Sequence, residues 1–150
     1  MTQFTPQEAD FVDMVQHKIG GNHFTSFIGF HIHHIGPGRI EGSLNLEQHH
    51  LQQMDFVHGG VTATIADVVA GFAAFTLVKK GQGVVTVELK VSYFNPGKGQ
   101  KLTGIGTVVK AGQRLHFCES ELWVENGDQK TLIAKATATM AVVNPEDIRR

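Results

Sequence analysis

The spacing of apolar positions changes several times along the chain, and each change marks an element. Phe11, Val12, Met14, Val15 and Ile19 recur as one face of a helix. Thr5-Pro6-Gln7-Glu8 reads as its N-cap with proline at the first helical position, and Gly20-Gly21 as its stop. Residues 26–35 and 39–46 read as two short strands joined at Gly36-Pro37-Gly38. A polar stretch, 47–55, then gives way to the apolar run 61–78, a buried helix by pattern, which stops near Lys79-Lys80-Gly81. Four strands are expected behind it, at 84–93, 102–110, 114–125 and 131–143. They turn at Asn95-Pro96-Gly97, Ala111-Gly112-Gln113 and Asn126-Gly127-Asp128, the last a strong hairpin signal. A long central helix buries itself best inside one curved antiparallel sheet, here of about six strands. The expected class is therefore α+β, with an extra N-terminal helix.

Composition narrows this picture. A chain of 150 residues suits a single domain with one core. Thirteen basic and fourteen acidic side chains nearly cancel, which argues against a nucleic-acid partner. Cys118 is the sole cysteine; it excludes an internal disulfide and fits a reducing compartment. The first residues lack a basic segment followed by an apolar one, so no secretory signal is expected. The run 61–78 is long enough to raise a membrane span, but Asp67, three threonines and Gly71 fit a buried helix better. The expectation is cytoplasmic, with no membrane partner.

Asp67 is the only charged residue among the eighteen of that run. A lone carboxylate in apolar surroundings is costly unless paired or hydrogen-bonded. Burial also moves a carboxyl group toward base chemistry near neutral pH. The plainer alternative is a structural aspartate bonded to a loop amide or hydroxyl. His58-Gly59-Gly60 stands directly in front of the helix. A helix N-terminus offers free N–H groups and partial positive charge to a developing oxyanion, and glycines let a carbonyl approach the backbone. The alternative there is a tight turn needing positive φ. His58 is expected to fix the turn by side-chain hydrogen bonding rather than to act as base. Gln52 can donate and accept at once, which suits it to orient a water or a thioester, or to sit solvated in a loop.

The run from Gln52 to Asp67, QQMDFVHGGVTATIAD, resembles the signature of hotdog-fold thioesterases. Among them it is most similar to the PaaI-like branch of the 4-hydroxybenzoyl-CoA thioesterase superfamily. That pattern has an amide residue six before the histidine and an acid nine after it, the places of Gln52 and Asp67. Thr86-Val87-Glu88-Leu89, Tyr93-Phe94-Asn95-Pro96-Gly97, Gly112-Gln113-Arg114-Leu115 and Ala134-Lys135-Ala136-Thr137 extend the resemblance over roughly residues 25–143. There are two departures. The amide is often Asn in this branch, and Asp55 stands where a glycine is common. The resemblance implies a hotdog fold and acyl-CoA thioester hydrolysis without metal or other cofactor. The Gly59 N–H would polarise the thioester carbonyl, with Gly60 beside it. Asp67 would be general base or nucleophile, Gln52 would orient thioester or water, and Thr86 would help hold the water. Thiolate leaves readily, so no Ser-His-Asp triad is needed.

Gly59 and Asp67 are eight residues apart, about 12 Å along a regular helix. Reacting atoms must come within about 3 Å, so one chain does not easily bring both groups to one thioester. A symmetric partner is expected to supply the second, as in the dimers or dimers of dimers usual in the hotdog family. Among basic residues, Arg114 and Lys110 are candidates for the phosphates of coenzyme A. Phe72, Phe75, Phe94 and Phe117 are candidates to line an acyl pocket or simply to pack. The histidines of His31-Ile32-His33-His34 and His49-His50 lack the accompanying ligands of a zinc signature. On a regular strand His31 and His33 share a face and His34 points away. Two rival readings remain. A hotdog dehydratase would need a second His/acid motif, which is missing. A non-catalytic acyl-CoA binding module would leave Asp67 structural.

Overall fold

The computed structural model describes residues 4–148. Six strands form one antiparallel sheet: β1 (His31–Gly36), β2 (Arg39–Asn45), β3 (Gly83–Tyr93), β4 (Lys101–Ala111), β5 (Leu115–Asn126) and β6 (Gln129–Val143). Their spatial order is β1-β2-β4-β5-β6-β3. The helix α3 (Gly59–Phe75) packs on the inner face and touches β2 through β6. Ile65, Ala66, Val69, Ala70 and Ala73 are wholly buried there, against Ile40, Leu44, Leu102, Leu122 and Met140 of the sheet. Small residues set the closeness of this contact. A Cβ on Gly106 of β4 would collide with the Val69 carbonyl, so glycine is required where strand and helix backbones meet. The expected α+β arrangement, with a central helix wrapped by six strands, is the one found.

The last hairpin follows its turn signal. Asn126 pairs with Gln129 across Gly127-Asp128, and Gly127 takes the left-handed φ of 58° that the two-residue turn requires. The chain before β2 departs from expectation. The first helix, α1, spans Phe11–Gly20, so Thr5-Pro6 lies well before it. Asp10 holds the cap position without a side-chain bond, while the Gly20-Gly21 stop is where the pattern put it. Residues 26–28 are not strand. They belong to a second helix, α2 (His23–Ile28), capped by Asn22, whose side chain accepts from Thr25 N–H at 3.2 Å. Gly29, at φ 78°, ends it in the left-handed conformation.

β1 carries a bulge between Ile32 and His34. His31 therefore stands opposite Ser43 and His34 opposite Glu41, on one face, while Ile32 and Ile35 both turn toward the core side with Gly42 and Ile40. The expected alternation of His31 and His33 against His34 is thereby overturned. α3 also ends at Phe75, three residues before the apolar run does. A short helix, α4 (Pro145–Ile148), follows β6. Among the described residues no helix is long and apolar enough to cross a membrane.

Candidate active site

The site is built around both ends of the first half of α3. His58 is the N-cap, with φ −62° and ψ 134°, and its Nδ1 accepts from Gly60 N–H at 2.9 Å. That bond fixes the tautomer with the proton on Nε2, and it consumes the Gly60 donor. Gly59 N–H has no acceptor among the described residues, as befits the first residue of a helix. The Tyr93 hydroxyl, at the end of β3, donates to the Gly59 carbonyl at 2.7 Å and holds the turn from the other side. One glycine donor is thus spent on structure and one is free.

The loop before the turn is tied down by His50. Its Nδ1 accepts from Glu47 N–H at 2.9 Å, and its Nε2 donates to the Ile28 carbonyl at 2.8 Å. Both ring nitrogens serve the backbone, which explains why this histidine is buried. Among the described residues no group of three or more His, Cys, Asp or Glu is arranged to hold a metal. Gln52 is half-buried in a tight turn, where its Oε1 accepts from Met54 N–H and its backbone carbonyl from Asp55 N–H. Its Nε2 amide is left to donate. Asp55 has φ 62°, the only positive φ on a non-glycine residue among those described. That is the physical reason a glycine suits this position.

Asp67 lies two helical turns further on. It is half-buried, not engulfed as its apolar run suggested, because the adjoining surface opens as a cleft of about 630 Å³. Thr86 Oγ donates to Asp67 Oδ1 at 2.7 Å. A bulge at Val87 interrupts β3 immediately after Thr86. On β5, Ser120 Oγ donates to the Ala66 carbonyl at 2.8 Å and pins the helix one residue before Asp67. The cleft is lined by Asp67, Val68, Gly71, Phe72 and Phe75 of α3, by Val84, Thr86 and Met140 of the sheet, and by His17, Lys18, Gly21, Asn22 and His23 from the N-terminal helices.

The structure therefore brings Asp67 and Thr86 together, joins His58 to Gly60 behind Gly59, and places Gln52 in the turn that leads to them. Lys110 and Arg114 lie at the exposed β4–β5 turn, outside the cleft. Phe72 and Phe75 line the cleft as expected, whereas Phe94 and Phe117 are exposed elsewhere. Tyr93, Ser120 and the N-terminal wall were missed by sequence reasoning; the aromatic at the end of β3 was the available signal for Tyr93. Cys118 is buried, and burial pushes its thiol up to about 12, so it is an inert packed residue.

A helix that opens with a free glycine N–H behind the His58 cap, a carboxylate two turns along and a wrapping antiparallel sheet together define a hotdog scaffold. The chain belongs to the thioesterase superfamily, whose sequence profile matches residues 54–131. It is 29% identical over 87 residues to acyl-coenzyme A thioesterase 13 of Homo sapiens, covering 57% of this chain and 61% of that one. A thioesterase family protein from Silicibacter pomeroyi superposes with a TM-score of 0.88 at 28% identity, covering 89% of this chain and 98% of that one. The E. coli PaaI protein from the phenylacetic acid degradation operon shares the fold, with a TM-score of 0.80 at 16% identity over 90% of this chain and 94% of its own. The enzyme class is thioester hydrolase, as the motif implied.

Proposed function

We propose that the protein hydrolyses acyl-CoA thioesters to free acid and CoA, at a site shared by two subunits. In this scheme the Gly59 N–H of one subunit polarises the thioester carbonyl, with Gly60 allowing close approach. Asp67 of the other subunit removes a proton from water as the water oxygen attacks the carbonyl carbon. The C–S bond then breaks, and the thiolate leaves and takes up that proton. Direct attack by Asp67, followed by hydrolysis of the anhydride, uses the same groups. Thr86 holds the carboxylate in place, His58 keeps the turn, and Gln52 Nε2 orients thioester or water.

The observation that carries this reading is the pair of hydrogen bonds linking α3 to β3. Thr86 marks the position of Asp67 along β3, and Tyr93 marks that of Gly59. β3 is a sheet edge of eleven residues without proline, and it exposes Val85 and Val87. Such an edge invites pairing. If two copies pair antiparallel about a centre at Lys90, the bulge at Val87 brings Thr86 of one opposite Tyr93 of the partner subunit. Asp67 then meets the partner subunit's Gly59, which supports a homodimer, alone or within a homotetramer, as the working form. A cytoplasmic setting fits the same reading, because free acyl-CoA is a soluble substrate.

The test is thiol release from a panel of aryl, short, medium and long acyl-CoAs by the purified protein. Turnover of any class supports the proposal. Tight binding with the thioester left intact would establish the binding-module alternative.

A further inference from the structure

The cleft is asymmetric along α3, and the asymmetry bears on the acyl group. This inference rests on the thioester-hydrolase reading. Asp67 stands at one end and Phe75 at the other, eight residues or about 12 Å along the helix. The floor between them is apolar, formed by Val68, Phe72 and Met140. An acyl chain whose carbonyl carbon sits at Asp67 would run down this floor, since the amides of a pantetheine arm would find no partners there. At the far end the chemistry changes. Lys18 holds its ammonium 5.7 Å from the centroid of the Phe75 ring. His17 and His23 line the same wall, and among the described residues Asp67 is the only carboxylate in the cleft. The volume of about 630 Å³ falls within the usual range of small-ligand sites.

We propose that the Lys18 end of this cleft is an anion subsite, and that the enzyme favours acyl groups ending in a carboxylate over methyl-ended chains of equal length. The apolar floor takes the methylenes, and Lys18 meets the distal carboxylate, with His17 and His23 as further N–H donors. Specificity would then come from the N-terminal helices, which lie largely outside the segment that defines the family.

The test compares kcat/KM for methyl-ended and carboxylate-ended acyl-CoAs of matched length, such as hexanoyl with adipoyl and octanoyl with suberoyl. Each pair is also measured as the phosphate-free N-acetylcysteamine thioester. In Lys18→Met the ratio of carboxylate-ended to methyl-ended kcat/KM should fall about fivefold, the scale of one partly exposed ion pair. In Lys18→Glu it should fall further, and both shifts should persist without CoA phosphates. Lys18 is exposed, so folding is not at stake. An unchanged ratio in both variants overturns the proposal while turnover of methyl-ended substrates keeps the thioesterase reading. An equal loss for both acyl groups, present with CoA thioesters and absent with N-acetylcysteamine thioesters, assigns Lys18 to the carrier's phosphate and also overturns it. Failure of the wild type to release thiol from any of these compounds removes the parent reading and this one together.

Discussion

The two ends of the Gly59–Asp67 stretch of α3 are built on opposite principles. At the Gly59 end nearly every polar group is engaged: His58 takes the Gly60 N–H, Tyr93 takes the Gly59 carbonyl, and Gln52 closes its own turn. Among the described residues, the one backbone N–H left free there is that of Gly59, at a fixed position, besides the side-chain donors Gln52 Nε2 and His58 Nε2. At the Asp67 end the carboxylate has a single side-chain partner among the described residues, Thr86, and otherwise faces an open cleft. An oxyanion donor must be rigid before the charge develops, whereas a base or nucleophile must stay accessible. In the proposed scheme this contrast makes the two ends complementary half-sites, about 12 Å apart along one helix.

The largest expected effect breaks the accessible half. Asp67→Asn should fold normally and lower kcat by at least about 100-fold, the loss expected for a positioned base. Near wild-type turnover in a folded Asp67→Asn protein would remove Asp67 from the mechanism. Thr86→Val, which deletes only the hydrogen bond to the carboxylate, should cost about tenfold in the same assay, so its effect should be clearly the smaller of the two.

How much of this was legible follows the length and locality of each signal. α3 declared itself because a long apolar run reads as a buried helix once Asp67, three threonines and Gly71 set it apart from a membrane span, and the strands of the last hairpins were fixed by their turns. The second half of α2, residues 26–28, was read as strand because Phe27 and Ile28 make too short a run for period alone to decide. The bulge in β1, which reversed the facing of His34, leaves no mark in an alternating pattern. In the candidate site, Gly59 and Asp67 were singled out by their spacing in the sequence. Tyr93 and Ser120 were not, because each acts on a backbone carbonyl 34 or 54 residues away, a relation only the folded sheet creates. Asp67 was misjudged as buried because the sequence does not show that α1, α2 and the sheet leave a cleft beside it.

A smaller effect concerns the far end of the same helix. His116 of β5 is 2% exposed, and its Nδ1 has no hydrogen-bond partner among the described residues. Burial lowers its pKa below the ordinary histidine value, opposed only in part by the Ala74 and Gly112 backbone. The unfolded chain then binds the proton more readily than the folded one. The stabilising contribution of neutral His116 is full above about pH 6.5 and is lost as pH falls below it toward the folded value. Urea midpoints of the wild type should drop between pH 7.5 and 5.5 by more than those of His116→Leu. Equal drops would show that the buried ring does not govern acid sensitivity.

The shared site is the central claim, and subunit exchange tests it directly. Gln52→Ala and Asp67→Ala homodimers should each be impaired in thiol release. A heterodimer of the two holds one site with both lesions and one site with neither, if Gln52 and Gly59 of one subunit work with Asp67 of its partner. Mixing the two proteins under exchanging conditions should restore activity, up to about half of wild type per heterodimer. If mass measurement confirms heterodimers and thiol release does not recover, each site is built within one chain and the account is contradicted.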